Sequence, residues 1–202
     1  KLYRTTLDAH VIALDVKTGK EVWRQKAAEW KEGYSMTVAP LIANNVLITG
    51  ISGGEWGVRG FLAAYDINTG KPVWKAYSTG PDAEMLIDPD KTMTWTDGAL
   101  KPVGKDSSLK TWKGDQWKTG GGSVWVTGVY DPDTNLTFWG TGNGGPWMGD
   151  QRPGDNLYTT SVIALDAASG TIKGHHQYHQ NDSWDWDEVS PPIIVDYTYN
   201  GR

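Results

Sequence analysis

One thirteen-residue pattern returns along the chain, and it limits the possible folds more than any other feature. Val11-Ile-Ala-Leu-Asp-Val-Lys-Thr-Gly-Lys-Glu-Val-Trp23 is followed by Leu62-Ala-Ala-Tyr-Asp-Ile-Asn-Thr-Gly-Lys-Pro-Val-Trp74. It returns as Val162-Ile-Ala-Leu-Asp-Ala-Ala-Ser-Gly-Thr-Ile-Lys-Gly174, and more loosely as Thr127-Gly-Val-Tyr-Asp-Pro-Asp-Thr-Asn-Leu-Thr-Phe-Trp139. Each unit reads as a strand, an Asp-x-x-Thr/Ser-Gly/Asn turn and a second strand. The Asp carboxylate accepts backbone N–H groups inside such a turn, and Gly or Asn supplies the positive φ that closes it. A Trp stands eight residues after the Asp in three copies, with Gly174 as the exception. Hairpins repeated with a fixed aromatic predict four-stranded blades packed radially, with indoles filling the gaps between neighbours. The alternative, a β-sandwich with chance similarity, does not require the fixed Trp.

The composition agrees. Glycine makes up 25 of 202 residues, which disfavours long helices. No run approaches the ~18 apolar residues of a membrane-spanning helix. A net charge of −5 argues against a nucleic-acid or anionic-membrane partner. Cysteine is absent, so there is no disulfide framework or thiolate chemistry here, and the compartment stays open. The chain lacks an initial Met and a leader sequence. Ile193–Tyr199 reads as a strand and Asn200-Gly201 as a hairpin turn with no returning strand. The expectation is an internal piece of a longer protein. Residues 1–202 are read as one partial domain, with a long excursion at about 78–118 leaving the scaffold.

Four stretches break the repeat. In Ile51-Ser-Gly-Gly-Glu-Trp-Gly-Val-Arg-Gly60, glycines allow close backbone approach. Glu55 is either a ligand for a hard cation or a solvated residue in a tight connection. Lys118-Thr-Gly-Gly-Gly-Ser-Val-Trp125 lacks the Lys-Ser/Thr pair of a phosphate loop. It suits a flat ligand stacked on Trp125, or a flexible hinge before a core Trp. In Gly140-Thr-Gly-Asn-Gly-Gly-Pro-Trp147, Pro146 denies the helix a dinucleotide fingerprint needs. Asn143 is a cation ligand or a left-handed turn residue. In Asn181-Asp-Ser-Trp-Asp-Trp-Asp-Glu188, an extended backbone would put Asp185 and Asp187 on one face and Trp184 and Trp186 on the other. Carboxylates beside bulky rings suit metal binding or a base with a tuned pKa. His175, His176 and His179 have no Cys to complete a zinc set and read as packing or surface residues.

Taken in order, these motifs resemble the pyrroloquinoline quinone (PQQ)-dependent methanol/ethanol dehydrogenases: Gly-Gly-Glu-x-Gly-Val-Arg-Gly at 53–60, Gly-Gly-Gly-x-x-Trp at 120–125, Gly-Thr-Gly-Asn-x-x-Pro-Trp at 140–147, Arg-Pro-Gly-Asp-Asn at 152–156 and Asn-Asp-x-Trp-Asp at 181–185. The resemblance implies an all-β fold, part of an eight-bladed propeller with Trp-docking motifs, of which about four blades would be present. It implies that Thr37, Ser52, Gly53, Gly54 and Ser123 contact the quinone and that Trp125 stacks on it. Glu55, Asn143 and Asp185 match metal ligands, and Asp185 also matches the catalytic base. Asp187 matches a further carboxylate of the lanthanide-using members, so a lanthanide is implied, with calcium as the alternative. The implied partners are a small primary alcohol and a cytochrome c acceptor; a homodimer stays open. The implied location is the periplasm. Competing readings are a non-catalytic propeller scaffold, which has no use for Glu55, Asn143, Asp185 and Asp187 together, and a calcium-dependent quinoprotein acting on other alcohols or sugars.

Overall fold

The computed structural model describes residues 1–188 and 190–198. Its regular structure is almost entirely β. Strands β1 (Leu2–Thr5), β2 (His10–Leu14) and β3 (Glu21–Lys26) form one antiparallel sheet. Strands β4 (Leu41–Ala43), β5 (Val46–Gly50), β6 (Phe61–Asp66) and β7 (Pro72–Tyr77) form a second. After a single-turn helix α1 (Asp82–Met85), strands β8 (Met93–Thr96) and β9 (Ala99–Pro102) make a hairpin. Strands β10 (Val129–Asp131), β11 (Leu136–Gly140), β12 (Ser161–Asp166) and β13 (Ile172–Gln177) complete a third sheet. The all-β propeller architecture is therefore present. The described residues contain three sheets rather than about four, because the copies at 127–139 and 162–174 are the two hairpins of one sheet.

The repeated turn works as its sequence requires. Asp15 Oδ1 accepts the N–H groups of Lys17 and Thr18 and the Thr18 hydroxyl at 2.8–3.0 Å. Asp66 and Asp166 make the same set. Gly19, Gly70 and Gly170 close the turns with φ of 69–73°. In the looser copy, Asn135 takes this part with φ 57°.

The turns are also where one sheet grips the next. Trp23 lies against Gly70 of the second sheet, and its indole N–H donates to Ile67 O at 3.3 Å. Trp74 lies against Gly170 of the third and donates to Ala167 O at 3.0 Å. A Cβ on Gly70 or Gly170 would sit 2.5–2.6 Å from indole carbons, so only glycine leaves the ring its seat. The middle sheet buries both faces. Phe61, Ala63 and Tyr65 of β6 join a core with Val11, Ala13 and Trp23, while Leu62 and Ala64 join another with Trp139, Ile163 and Leu165. That two-sided burial explains the uninterrupted apolar run at 61–65.

Two expectations about tryptophan change. Trp139 does not hold a turn carbonyl of the next sheet as Trp23 and Trp74 do: it is wholly buried on β11 against Gly128, in the core shared with Leu62 and Ala64 of the middle sheet, and its indole N–H has no hydrogen-bond partner among the described residues. Gly174 is where β8 adds to β13 in parallel, pairing with Met93. A Cβ there would lie 3.2 Å from Met93 O, so a docking indole would displace the added strand. The 78–118 excursion accordingly folds back onto the scaffold. Ser108 Oγ and the Trp112 indole both donate to Leu157 O, at 2.6 and 2.7 Å. The strand expected at Ile193–Tyr199 is not formed over 193–198. Tyr199 and the Asn200-Gly201 turn lie outside those residues.

Candidate functional site

Antiparallel topology puts alternate connections at opposite ends of a sheet. The Asp-x-x-Thr/Ser-Gly turns join β2 to β3, β6 to β7 and β12 to β13 at one end. The connections β3–β4, β5–β6, β11–β12 and those flanking the third sheet emerge at the other. Every expected site residue lies in this second set.

Those connections are stitched to one another. Ser52 and Ser35 exchange backbone hydrogen bonds at 2.8 and 3.2 Å. Gly121 N–H donates to Val58 O and Gly60 N–H to Gly121 O, while Gly122 N–H donates to Asn143 O and Gly145 N–H to Gly120 O. The three glycines thus form the middle strip between the 53–60 and 140–147 loops. Cβ atoms on Gly120, Gly121 and Gly122 would meet Trp112, Asn143 O and Ser78 Oγ at 2.7–2.8 Å. Their smallness serves packing between loops, and the hinge reading is set aside.

On this framework Thr37, Ser52, Gly53, Glu55, Ser123 and Trp125 line one cavity of about 240 Å³. Thr37 and Ser52 share a hydrogen bond of 2.9 Å, and the Thr37 hydroxyl also reaches Trp125 O at 3.2 Å. Trp125 keeps about a third of its surface open. Gly54 is buried beneath, where a Cβ would lie 3.2 Å from Ser123 Oγ.

The carboxylates gather beside this cavity. Asp187 Oδ1 accepts the N–H of Asn143, and a Cβ on Gly142 would crowd that oxygen at 2.9 Å. Burial pushes the Asp187 carboxyl up to about 6; the Asn143 N–H and the Trp125 side chain pull it down, and the charges of Asp185 and Glu55 push it further up. Asn143 is buried and lies outside the left-handed region, so its turn-residue reading fails. Its amide nitrogen donates to Gly144 O at 3.3 Å, leaving the amide oxygen as the atom for a cation. The 181–188 segment is not extended: Asp185 and Asp187 have φ of 62° and 54°, which overturns the two-face arrangement. Trp184 and Trp186 are exposed. Among the described residues no three His, Asp or Glu side chains stand close enough to hold an ion unaided. The donors nonetheless fit a hard cation: three carboxylates and an amide oxygen, with repulsion around Asp187 that a cation would relieve.

Arg59 carries a role that sequence reasoning missed. Buried at the end of the Glu55 loop, it donates from Nε to Thr79 O at 2.7 Å and pairs with Glu84. It stacks on Tyr77 and Trp117 at 3.9 and 4.7 Å. An Arg amid glycines and apolar residues was the available signal. The histidines are packing residues: His175 meets Tyr158 edge-on at 4.3 Å, His176 meets Tyr178 at 4.9 Å and His179 meets Trp186 at 5.1 Å.

Fold and site together define a β-propeller whose loop end carries an indole-lined cavity bordered by hard oxygen donors. The family model of the PQQ glucose/ethanol/alcohol dehydrogenase beta-propeller domain matches residues 25–202. The chain belongs to this family. It is 43% identical to the lanthanide-dependent methanol dehydrogenase of Methylacidiphilum fumariolicum (strain SolV), over 100% of this chain and 33% of that protein. It is 42% identical to methanol dehydrogenase [cytochrome c] subunit 1 of Methylobacterium organophilum, over 94% of this chain and 30% of that protein. A solved europium-containing methanol dehydrogenase superposes with a TM-score of 0.89 at 43% identity, covering 99% of this chain and 34% of that one. The chain thus spans about a third of the length of these relatives.

Proposed function

We propose that this chain forms part of a PQQ-dependent dehydrogenase that oxidises a small primary alcohol, methanol or ethanol, to the aldehyde. The reading rests on one observation: six residues from three separate segments converge on a single indole-walled cavity with Asp187 drawn to its side. Trp125 offers a flat apolar face to the quinone, and Thr37, Ser52, Ser123 and the backbone at Gly53 and Gly54 offer polar contacts to its edge. Glu55, Asn143, Asp185 and Asp187 would hold the cation. When bound, PQQ supplies the two-electron acceptor for the hydride leaving the alcohol carbon, and the cation supplies Lewis acidity. Asp185, exposed on the segment bordering the cavity, takes the hydroxyl proton as general base. Trp184 and Trp186 beside it give a bulky apolar wall that suits a small alcohol.

The cation is a lanthanide in this reading. Overall identity does not discriminate, since lanthanide-dependent and cytochrome c-type relatives match at 43% and 42%. Asp187 does: a fourth oxygen donor with full charge favours a trivalent ion over calcium on electrostatic grounds. A cytochrome c acceptor and a periplasmic location follow from the names and habits of the relatives. The test uses the full-length enzyme loaded with PQQ and either lanthanum or calcium. Asp187→Ala is expected to lose roughly 10–100-fold or more of its lanthanum-supported turnover. Full lanthanum activity in that variant would remove Asp187 from the ligand set.

A further inference from the structure

The segment bearing Asp185 and Asp187 is shaped by one buried carboxylate beneath it. Asp182 is wholly buried. Its Oδ1 accepts the N–H of Trp184 at 2.9 Å and its Oδ2 the N–H of Trp186 at 3.0 Å. These are the residues on either side of Asp185. One rigid group therefore fixes both amides that bracket the expected base, and the backbone between them turns into the left-handed region at Asp185 and again at Asp187. Side-chain-bearing residues hold that conformation where their surroundings impose it.

Asp182 is itself anchored. Arg152, also wholly buried, donates from Nη2 to Asp182 O and, at 3.2 Å, to Trp147 O. Its Nε donates to Pro146 O at 2.8 Å and its Nη1 to Asn156 Oδ1 at 2.5 Å. Pro146 and Trp147 continue the loop that begins at Asn143. Arg152 thus spans the two loops that carry Asn143 on one side and Asp185 with Asp187 on the other. The Asn181 amide closes the base of the brace, donating to Arg152 O and Gly154 O at 2.9 Å each.

We propose that Asp182 is a positioning residue, acting through the amides of Trp184 and Trp186 to aim Asp185 and Asp187, with Arg152 setting their distance from Asn143; this rests on the functional reading above. The chemistry favours a carboxylate at 182. Two N–H groups converge on one planar acceptor, and charge makes those bonds shorter and stronger than neutral ones. The Arg152 charge nearby makes burial of the anion tolerable. Asp185 and Asp187 repel each other, so without a rigid backbone they would drift apart and lose the spacing a cation needs.

The test compares full-length wild-type enzyme with Asp182→Asn, which keeps the size and one acceptor oxygen but turns an NH₂ towards an amide N–H. Terbium alone is the probe, read by luminescence sensitised through nearby tryptophan. Terbium is expected to bind about tenfold or more weakly to the variant, in line with other groups that orient metal ligands. The amides of Trp184 and Trp186 should exchange faster with deuterated water, and kcat should fall while KM for the alcohol changes little. Unchanged terbium affinity in folded Asp182→Asn overturns the proposal, whatever the amides do. If that variant fails to fold, Arg152→Lys keeps the charge and loses the fork, with the same weakening expected and unchanged affinity again decisive against it. Wild-type enzyme that neither binds terbium nor oxidises alcohol would overturn the functional reading and this proposal with it, whereas an active wild type with an unaffected variant overturns the positioning alone.

Discussion

His175 shows how burial alone sets a residue's chemistry. Desolvation on β13, helped by the neighbouring His176 charge, pushes its pKa down to about 4, and Nδ1 lacks a hydrogen-bond partner among the described residues. In the unfolded chain the ring titrates near 6.5. The unfolded state therefore binds the extra proton between those values. The stability involved is fully present above pH 6.5 and is lost as pH falls towards 4, by about 3 kcal/mol at most. Urea denaturation at pH 7 and 4.5 checks this. His175→Phe removes the titrating group, so its stability should fall less over that interval; equal losses in both proteins would show that other groups carry the acid sensitivity. Asp187 contrasts with His175, because its shift arises from a gathering of like charges beside a cavity as well as from burial.

Elements dock through a ring set on a glycine. Trp74→Ala is expected to cost about 3–5 kcal/mol, the range for deleting a buried indole. The glycines separate conformational from steric cost. Gly19, Gly70 and Gly170 share nearly the same φ, but nothing lies within 4 Å of a Cβ on Gly19, while Gly70 and Gly170 face indole carbons. Gly19→Ala should lose only the left-handed penalty of about 1–2 kcal/mol. Gly170→Ala should lose clearly more, and combining it with Trp74→Ala should cost less than the sum of the two singles. Equal losses at positions 19 and 170 would show that the docking contact contributes nothing. The local turn was legible in the sequence, because Asp, Thr and Gly close it within six residues. The different seat of Trp139 was not, since eight residues after an Asp places the ring on a strand but not the carbonyl its N–H would meet.

At the scale of the whole molecule, the cavity is open to its surroundings. Trp125 on its wall is partly open, and Trp56, Trp184 and Trp186 of the loops that carry the expected ligands are largely exposed. The chain also spans about a third of the length of its relatives. The 202-residue chain on its own is therefore expected to show no PQQ-dependent dye reduction with methanol or ethanol, even with lanthanum added. Measurable turnover would mean that these residues suffice for the chemistry. Apart from Thr37, which only the resemblance points to, the candidate residues were legible because each sits in a motif that breaks the repeat. The anchoring by Arg59 and Arg152 was not, because it reaches groups on other loops, Thr79 O and Glu84 for the one and Asp182 O for the other.

The sequence by itself determined what five or six neighbouring residues can settle: the Asp-centred turns, the positive-φ glycines and the strands that flank them. It also carried the order of motifs that marks the family. Only the tertiary structure decided which hairpins share a sheet, that Gly174 admits an added strand, and that Thr37, Glu55, Trp125 and Asp187 meet. The physical reason is separation along the chain. A turn closes hydrogen bonds within one short segment, whereas the Trp74 indole finds its acceptor 93 residues away and Asn143 meets Asp187 across 44. Contacts of that reach depend on how the sheets pack, and no local pattern encodes them.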